Sequence, residues 1–442
     1  MTDASAITLD TYTDPAAMRE LLQAQLPGFA DGRWRIDTLG VHSARRNTSQ
    51  QRNPCPLTLC YELQVSDASR SRTGTQRLCA QVFRNGGAAT AFAQQDRSRL
   101  TPPAFGEALV NLPALNLLVW ALPNDPGLPQ LATLLDPAQA ARLLPDAVAA
   151  AVQVELLRYE PQQRATLRYT LDGSHASGPP CTLYAKTFCD DRAAALHEHF
   201  TYFWQLAQHD EQAPLVAQPL HHDRVIHTLW QAPAPGSPLL QCLTPANDAA
   251  LVGRVARALA RLHAAPLRPS ASAAPRSAAH WVAEVRRRQN KIGRIDTALA
   301  SRAACVADAI QTHAARQTTR PLSLIHGDFH PEQVWVHDGR IVLFDFDEFT
   351  LGDPMEDLAE FVLKLDHAGV APALASAFVE QYAAVAPERF DRQSLAWHGA
   401  IQSLLQASRA FTYQQPGWAA TLERRLAAAQ ARAAALSSND PP

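Results

Sequence analysis

Between Leu324 and Asp347 the chain reads LIHGDFHPEQVWVHDGRIVLFDFD. Two short apolar runs, Val334-Trp335-Val336 and Ile341-Val342-Leu343, lie either side of Asp338-Gly339. Asp-Gly is the dipeptide favoured in a two-residue type I′ hairpin turn. That turn allows one register: Val336 faces Ile341, Val334 faces Leu343 and Gln333 faces Phe344. Gln333 and Asp345 then sit side by side at the open end of the hairpin, and Asp328 lies in the loop that enters it. An amide oxygen and two carboxylates gathered at one spot suit Mg²⁺, a hard cation that takes a few protein oxygens while phosphates supply others. The same grouping leaves one carboxylate to orient or deprotonate a hydroxyl.

The rest of the chain divides around this hairpin. A first α/β block runs from about Trp34 to Pro145, with strands at Leu57–Val65, Leu78–Phe83 and Leu117–Leu122 and a helical pattern at Ala88–Arg99. A second block begins near Val152 and repeats the order. Its strands are Val152–Tyr159, Ala165–Leu171, Thr182–Phe188 and Val225–Trp230, with a helix at Asp191–Gln208. Cys60-Tyr61-Glu62-Leu63 aligns with Arg168-Tyr169-Thr170-Leu171, and Leu78–Phe83 aligns with Leu183–Phe188. The blocks are either a duplicated β-sheet unit or two independent strand–strand–helix–strand units of a common kind. From Thr244 onward the pattern is helical, with Leu251, Val255, Leu259 and Leu262 on one face and a Pro/Ser/Ala-rich loop at 266–279. The expected class is α+β in two lobes, β-rich then helical. Expected domains are 1–150, a β-sheet-containing N-terminal cap that reads as a degenerate duplicate of the first lobe, then 151–240, a nucleotide-gripping lobe, and 241–442, a helical lobe holding the hairpin.

Composition excludes several classes. Forty basic against 42 acidic residues give a net charge of −2, which argues against a nucleic-acid partner or a polybasic membrane binder. No apolar run is long enough to span a bilayer, and MTDASAITLDTYTD lacks the basic start and apolar core of a signal peptide. The expectation is a cytoplasmic protein with no membrane partner. Its seven cysteines are scattered, with no CxxC pair and no zinc-finger spacing, so they read as reduced thiols.

The hairpin segment resembles the aminoglycoside phosphotransferase/choline kinase-like family, which shares its fold with protein kinases. The features that carry the resemblance are His326-Gly327-Asp328, the amide Gln333 five positions on, Asp345-Phe346-Asp347 after the hairpin, and Gly352-Asp353-Pro354 with Asp357-Leu358-Ala359. It covers roughly Val152 to Arg425. The resemblance implies that Asp328 is the catalytic Asp facing the acceptor hydroxyl, that Gln333 and Asp345 hold Mg²⁺, and that Asp347 is an accessory carboxylate. Asp353 and Asp357 would brace the catalytic loop. Glu348, Glu356 and Glu360, in a stretch of seven acids without Lys or Arg, would be exposed. The family's usual residue at position 333 is Asn, and Gln is one methylene longer. An extra cap before the first kinase lobe resembles the layout of maltokinase-type members.

The first lobe is expected to grip the nucleotide, ATP or GTP. Lys186 stands in the strand where kinase-like folds keep the Lys that pairs the phosphates. Glu198 is its expected partner, in competition with Asp191 and Glu211. Tyr184 shares a face with Lys186 and either stacks on adenine or packs in the core. The chain contains neither GxGxxG nor GxxxxGK[ST]. The loop Glu160-Pro161-Gln162-Gln163-Arg164 has no glycine, and Arg164 either reaches a phosphate or simply closes a hairpin. The first block carries Gln81 where the second has Lys186. The expected activity is an ATP-dependent small-molecule kinase with a sugar, aminoglycoside or similar hydroxyl acceptor, and the alternative is a nucleotide-binding pseudokinase. A metal phosphoesterase, suggested by Asp328-Phe329-His330, lacks its further ligand motifs. The sequence does not address oligomeric state.

Overall fold

The computed structural model describes residues 11–46, 57–84, 86–143, 151–172, 181–266, 275–295, 297–317, 322–413 and 417–437. The chain divides into two compact units. One is Met1–Ala193 with His221–Trp230, and the other is Ala194–Leu220 with Gln231–Pro442.

The first unit begins with helix α1 (Pro15–Gln25), capped by Asp14 and started by Pro15. Strands β1 (Trp34–Arg46), β2 (Leu57–Asp67) and β3 (Thr73–Val82) follow, then α2 (Gly87–Ala93), β4 (Leu109–Leu112) and β5 (Leu117–Ala121). Two short helices, α3 (Leu131–Leu135) and α4 (Pro137–Ala140), lead into β6 (Ala151–Glu160), β7 (Arg164–Asp172) and β8 (Cys181–Phe188). After α5 (Arg192–Leu206) come β9 (Pro219–Asp223) and β10 (Thr228–Gln231).

These strands make two five-stranded sheets with one topology, β1-β2-β3-β5-β4 and β6-β7-β8-β10-β9. The register repeats as well as the order. Tyr61 faces Leu78 and Thr58 faces Gln81 in the first sheet. Tyr169 faces Leu183 and Thr166 faces Lys186 in the second. Each sheet is covered by the helical segment that precedes it, and each buried tyrosine ties sheet to cover. The Tyr61 hydroxyl donates to the Tyr12 carbonyl at 2.7 Å, and the Tyr169 hydroxyl donates to the Leu134 carbonyl at 2.7 Å. Met18 and Leu22 complete the first core, and Leu131 and Leu134 the second.

The second unit includes α5 and a short strand, β11 (Ser237–Pro238), followed by helices α6 (Leu239–Cys242), α7 (Asp248–His263), α8 (Ala278–Ile292) and α9 (Thr297–Ala314). Then come β12 (Ser323–Ile325), the hairpin β13 (Val334–His337) and β14 (Arg340–Leu343), and β15 (Thr350–Gly352). Helices α10 (Met355–His367), α11 (Pro372–Val385), α12 (Arg392–Tyr413) and α13 (Trp418–Ser437) close it. Among the described residues, no helix is long and apolar enough to cross a membrane.

Several sequence expectations change. The two sheets share one unit, whereas divisions were expected at 150 and 240. Helix α5 belongs with the hairpin because Leu215, just beyond it, exchanges backbone hydrogen bonds with Ile341 and Leu343 at 2.8 and 2.9 Å. Arg340 also donates to the Ala207 carbonyl at 3.0 Å. The strand expected at Val225–Trp230 begins at Thr228, and Val225 is exposed in the preceding turn. The helix expected to reach Arg99 stops at Ala93. Cys60 and Cys79, expected as thiols, form a disulfide across β2 and β3, where the register sets them opposite each other. Cys55 and most of the loop expected at 266–279 lie outside the described residues.

Candidate active site

The hairpin has the expected register, Val334 opposite Leu343 and Val336 opposite Ile341. Asp338 and Gly339 both have positive φ, 47° and 75°, as a type I′ turn requires. The Phe344 amide donates to the Gln333 carbonyl at 3.0 Å and extends the ladder to the open end. There the Gln333 side-chain amide lies 3.4 Å from Asp345 Oδ2 and 3.4 Å from His330 Nε2. Asp345 sits in the left-handed region at φ 54°. That conformation strains an L-residue with a Cβ, and such strain gathers at functional sites. Asp347 follows in a 3-10 turn, Phe346–Glu348, and is half-buried.

Asp328 is 30% exposed, with His330 Nε2 3.7 Å from its Oδ2. Burial resists its ionisation, but the His330 contact prevails and holds the carboxyl below the usual carboxylate range. Asp328 is therefore an anion at neutral pH, able to accept a hydrogen bond from a hydroxyl. Among the described residues, no group of three or more His, Cys, Asp or Glu is arranged to hold a metal ion. Gln333 and Asp345 each bring an oxygen-bearing side chain to this end of the hairpin, the Gln333 amide nitrogen being the atom 3.4 Å from Asp345 Oδ2. That fits Mg²⁺, which is held by one or two carboxylates and completed by phosphates, better than it fits a metal with an all-protein cage.

The loop carrying Asp328 is fixed from behind. Asp357, buried on α10, accepts from the His326 amide at 2.7 Å and the Gly327 amide at 2.9 Å. His263 Nε2 lies 3.0 Å from the same carboxylate, and its Nδ1 lies 2.7 Å from the Tyr382 hydroxyl. Burial works against the Asp357 charge, and these donors outweigh it and lower its pKa. His326, wholly buried, has its Nε2 2.7 Å from the Phe344 carbonyl, which ties the loop to the hairpin. Gly327 has φ 78°, and a Cβ there would fall 2.3 Å from the Glu348 carbonyl oxygen, so only glycine fits.

Asp357 thus has the bracing role expected of it. Asp353 instead caps α10 through the Met355 amide at 2.9 Å and accepts from Ser394 at 2.5 Å. Glu356 and Glu360, expected at the surface, are buried. Glu356 accepts from Trp281 Nε1 at 3.1 Å and pairs with Arg276, whose guanidinium also donates to the Gly327 carbonyl at 2.9 Å. Burial pushes Glu356 up to about 7 despite Arg276. Glu360 lies 3.7 Å from Arg409, too far for a hydrogen bond. Burial and the Asp328 charge raise it to about 8. Arg276, His263, Tyr382 and Arg409 escaped the sequence reading, since none belongs to a motif.

On the second sheet, Lys186 and Tyr184 are half-buried on one face of β8. Glu198 is exposed on α5, while Asp191 is engaged by His227 at 2.9 Å. Arg164 donates through Nε and Nη2 to Glu160 of its own hairpin, at 3.1 and 2.7 Å.

Residues 183–398 match the model of the phosphotransferase enzyme family. The matched segment contains Lys186, Asp328, Gln333, Asp345 and Asp357, while Arg409 lies beyond it, and the match supports an enzyme that transfers phosphate to hydroxyl groups. The first sheet precedes the matched segment. A comparison with curated protein sequences found no match. Solved structures similar to the chain include an apo thermostable mutant of aminoglycoside phosphotransferase APH(4)-Ia, at 16% identity and TM-score 0.45, covering 66% of this chain and 97% of that one. The APH(2")-IIa complex with gentamicin has 15% identity and TM-score 0.46, covering 64% and 93%. Choline kinase LicA from Streptococcus pneumoniae has 16% identity and TM-score 0.43, covering 63% and 93%.

Proposed function

We propose that this phosphotransferase is an ATP-dependent small-molecule kinase that transfers the γ-phosphoryl group to a hydroxyl of a sugar, aminoglycoside or similar acceptor. The observation that carries the reading is the Gln333–Asp345 contact of 3.4 Å at the open end of the hairpin whose entry loop holds the ionised Asp328. Asp328 accepts the acceptor's O–H, orients the oxygen for in-line attack and takes its proton as the new bond to the γ-phosphorus forms and the bridging P–O bond to ADP breaks, ADP leaving with the electron pair. Gln333 and Asp345 would hold Mg²⁺, with Asp347 as an accessory carboxylate. Bound Mg²⁺ neutralises charge on the phosphate oxygens. Lys186 pairs with the phosphates, Glu198 supports Lys186, Tyr184 stacks on the base, and Arg164 adds a cation at the Glu160–Arg164 loop.

The test is a phosphotransfer assay over sugars, aminoglycosides, choline-like alcohols and amino alcohols, with Asp328→Ala as the control. The wild type should phosphorylate at least one class, and the variant should lose on the order of 10³-fold in rate while still binding Mg·ATP. Near-normal transfer by the variant would refute the role of Asp328. The glycine-free loop favours a second reading, a nucleotide-binding pseudokinase. Mg·ATP binding with no product across the panel would support it.

A further inference from the structure

Glycine-rich loops cover phosphates because glycine takes any φ and brings backbone N–H groups close to the ligand. The Glu160–Arg164 loop has no glycine, yet Gln162 stands at φ 62°. For an L-residue with a Cβ that region is unfavourable, and contacts from outside the loop hold it there.

The first sheet and the segment after it do so. The Gln81 and Gln162 side-chain amides exchange two hydrogen bonds, at 2.7 and 2.9 Å. The Gln162 backbone N–H donates to Asp125 Oδ2 at 2.7 Å. The same oxygen accepts the Tyr159 hydroxyl at 2.7 Å, and that hydroxyl accepts Trp120 Nε1 at 3.1 Å. Asp125 is itself buried and fixed by the Gly127 amide at 2.7 Å. Gly127 lets the two backbones meet, since a Cβ there would lie 2.7 Å from Gln162 Cα. The Gln163 amide is used within the loop, donating to the Glu160 carbonyl at 3.0 Å. Two of the amides that a glycine loop would offer to phosphate are therefore spent on holding shape. What the loop presents is side chains, with Arg164 aimed by Glu160.

We propose that the first sheet is a template that sets the Glu160–Arg164 loop for the nucleotide phosphates, with Gln81 and Asp125 as positioning residues that touch no nucleotide themselves. This rests on the kinase reading above. Gln81 occupies the register position of Lys186, so a site that holds a phosphate cation in one sheet holds a loop of the other sheet here. The duplicate has exchanged a ligand for its sibling's turn.

The test uses full-length chains carrying Gln81→Leu, Gln162→Leu and both, with Mg·ATP affinity measured by calorimetry well below the lowest Tm of the set. Each single variant should weaken Mg·ATP about tenfold, and the double should be no weaker than either single, because both remove one pair. KM for the acceptor should stay within about twofold, and Gln81→Glu, which keeps an acceptor for the Gln162 amide, should recover part of the loss. Amide exchange at 160–164 should speed up in Gln81→Leu. Unchanged Mg·ATP affinity in variants of lowered Tm would overturn the proposal and leave the pair purely structural, and so would additive losses. A wild type that binds no Mg·ATP would instead refute the kinase reading, and the template role with it.

Discussion

The two sheets share strand order, cross-strand register and a buried tyrosine bonded to the preceding cover, and they differ at the position where the proposed kinase reading puts its phosphate-pairing cation. Thr58 faces Gln81 in one, and Thr166 faces Lys186 in the other. A cation on a half-buried strand face can neutralise a polyphosphate, whereas a buried amide can only complete a neutral hydrogen-bond pair. Gln81 is 5% exposed and its amide is satisfied by Gln162. The comparison teaches that two sheets can share topology, register and anchoring while a single strand position carries an amide in one and a cation in the other, so that fold alone does not fix what a sheet binds.

The sharpest way to break the comparison is Lys186→Gln, which gives the second sheet the first sheet's residue. It should cost on the order of 100-fold in kcat/KM for ATP, and an unchanged value would remove the functional contrast between the sheets. A smaller effect is expected at Glu360, in the second unit, where burial and the Asp328 charge favour the protonated side chain. Its folded pKa of about 8 lies above the unfolded value near 4.5. The folded state therefore binds the proton more tightly, and the stability this contributes is full below about pH 4.5 and lost as pH rises through 8. Glu360→Gln keeps the neutral form at every pH. Its Tm should match the wild type near pH 4.5 and exceed it by several degrees at pH 8. A parallel pH dependence in both proteins would show that Glu360 does not titrate as described. The smallest effect belongs to Gln333→Asn, which should change the rate within about tenfold, or about 1.4 kcal/mol, since both amides offer the same oxygen. Complete loss of activity would show that the longer side chain is essential.

What the sequence made legible follows the range of the forces involved. The β13–β14 hairpin was readable because Asp338-Gly339 encodes its turn locally and alternation does the rest. The contact between Gln333 and Asp345 followed from that register. The burial of Glu356 and Glu360 was not readable, because charged side chains are ordinarily exposed and their partners Arg276 and Arg409 are distant in sequence. The Cys60–Cys79 bridge and the Gln81–Gln162 pair depend on pairings that no local pattern announces. The repeat itself showed faintly in a few aligned residues, and the shared strand order made it plain.

Calorimetric titration of the full chain with Mg·ATP tests the central claim most directly. If only the second sheet retains nucleotide chemistry, the wild type binds a single nucleotide per chain. Lys186→Gln should lose it, and Gln81→Lys should gain no second site. Two nucleotides per wild-type chain, or binding unaffected by Lys186→Gln, would contradict the account.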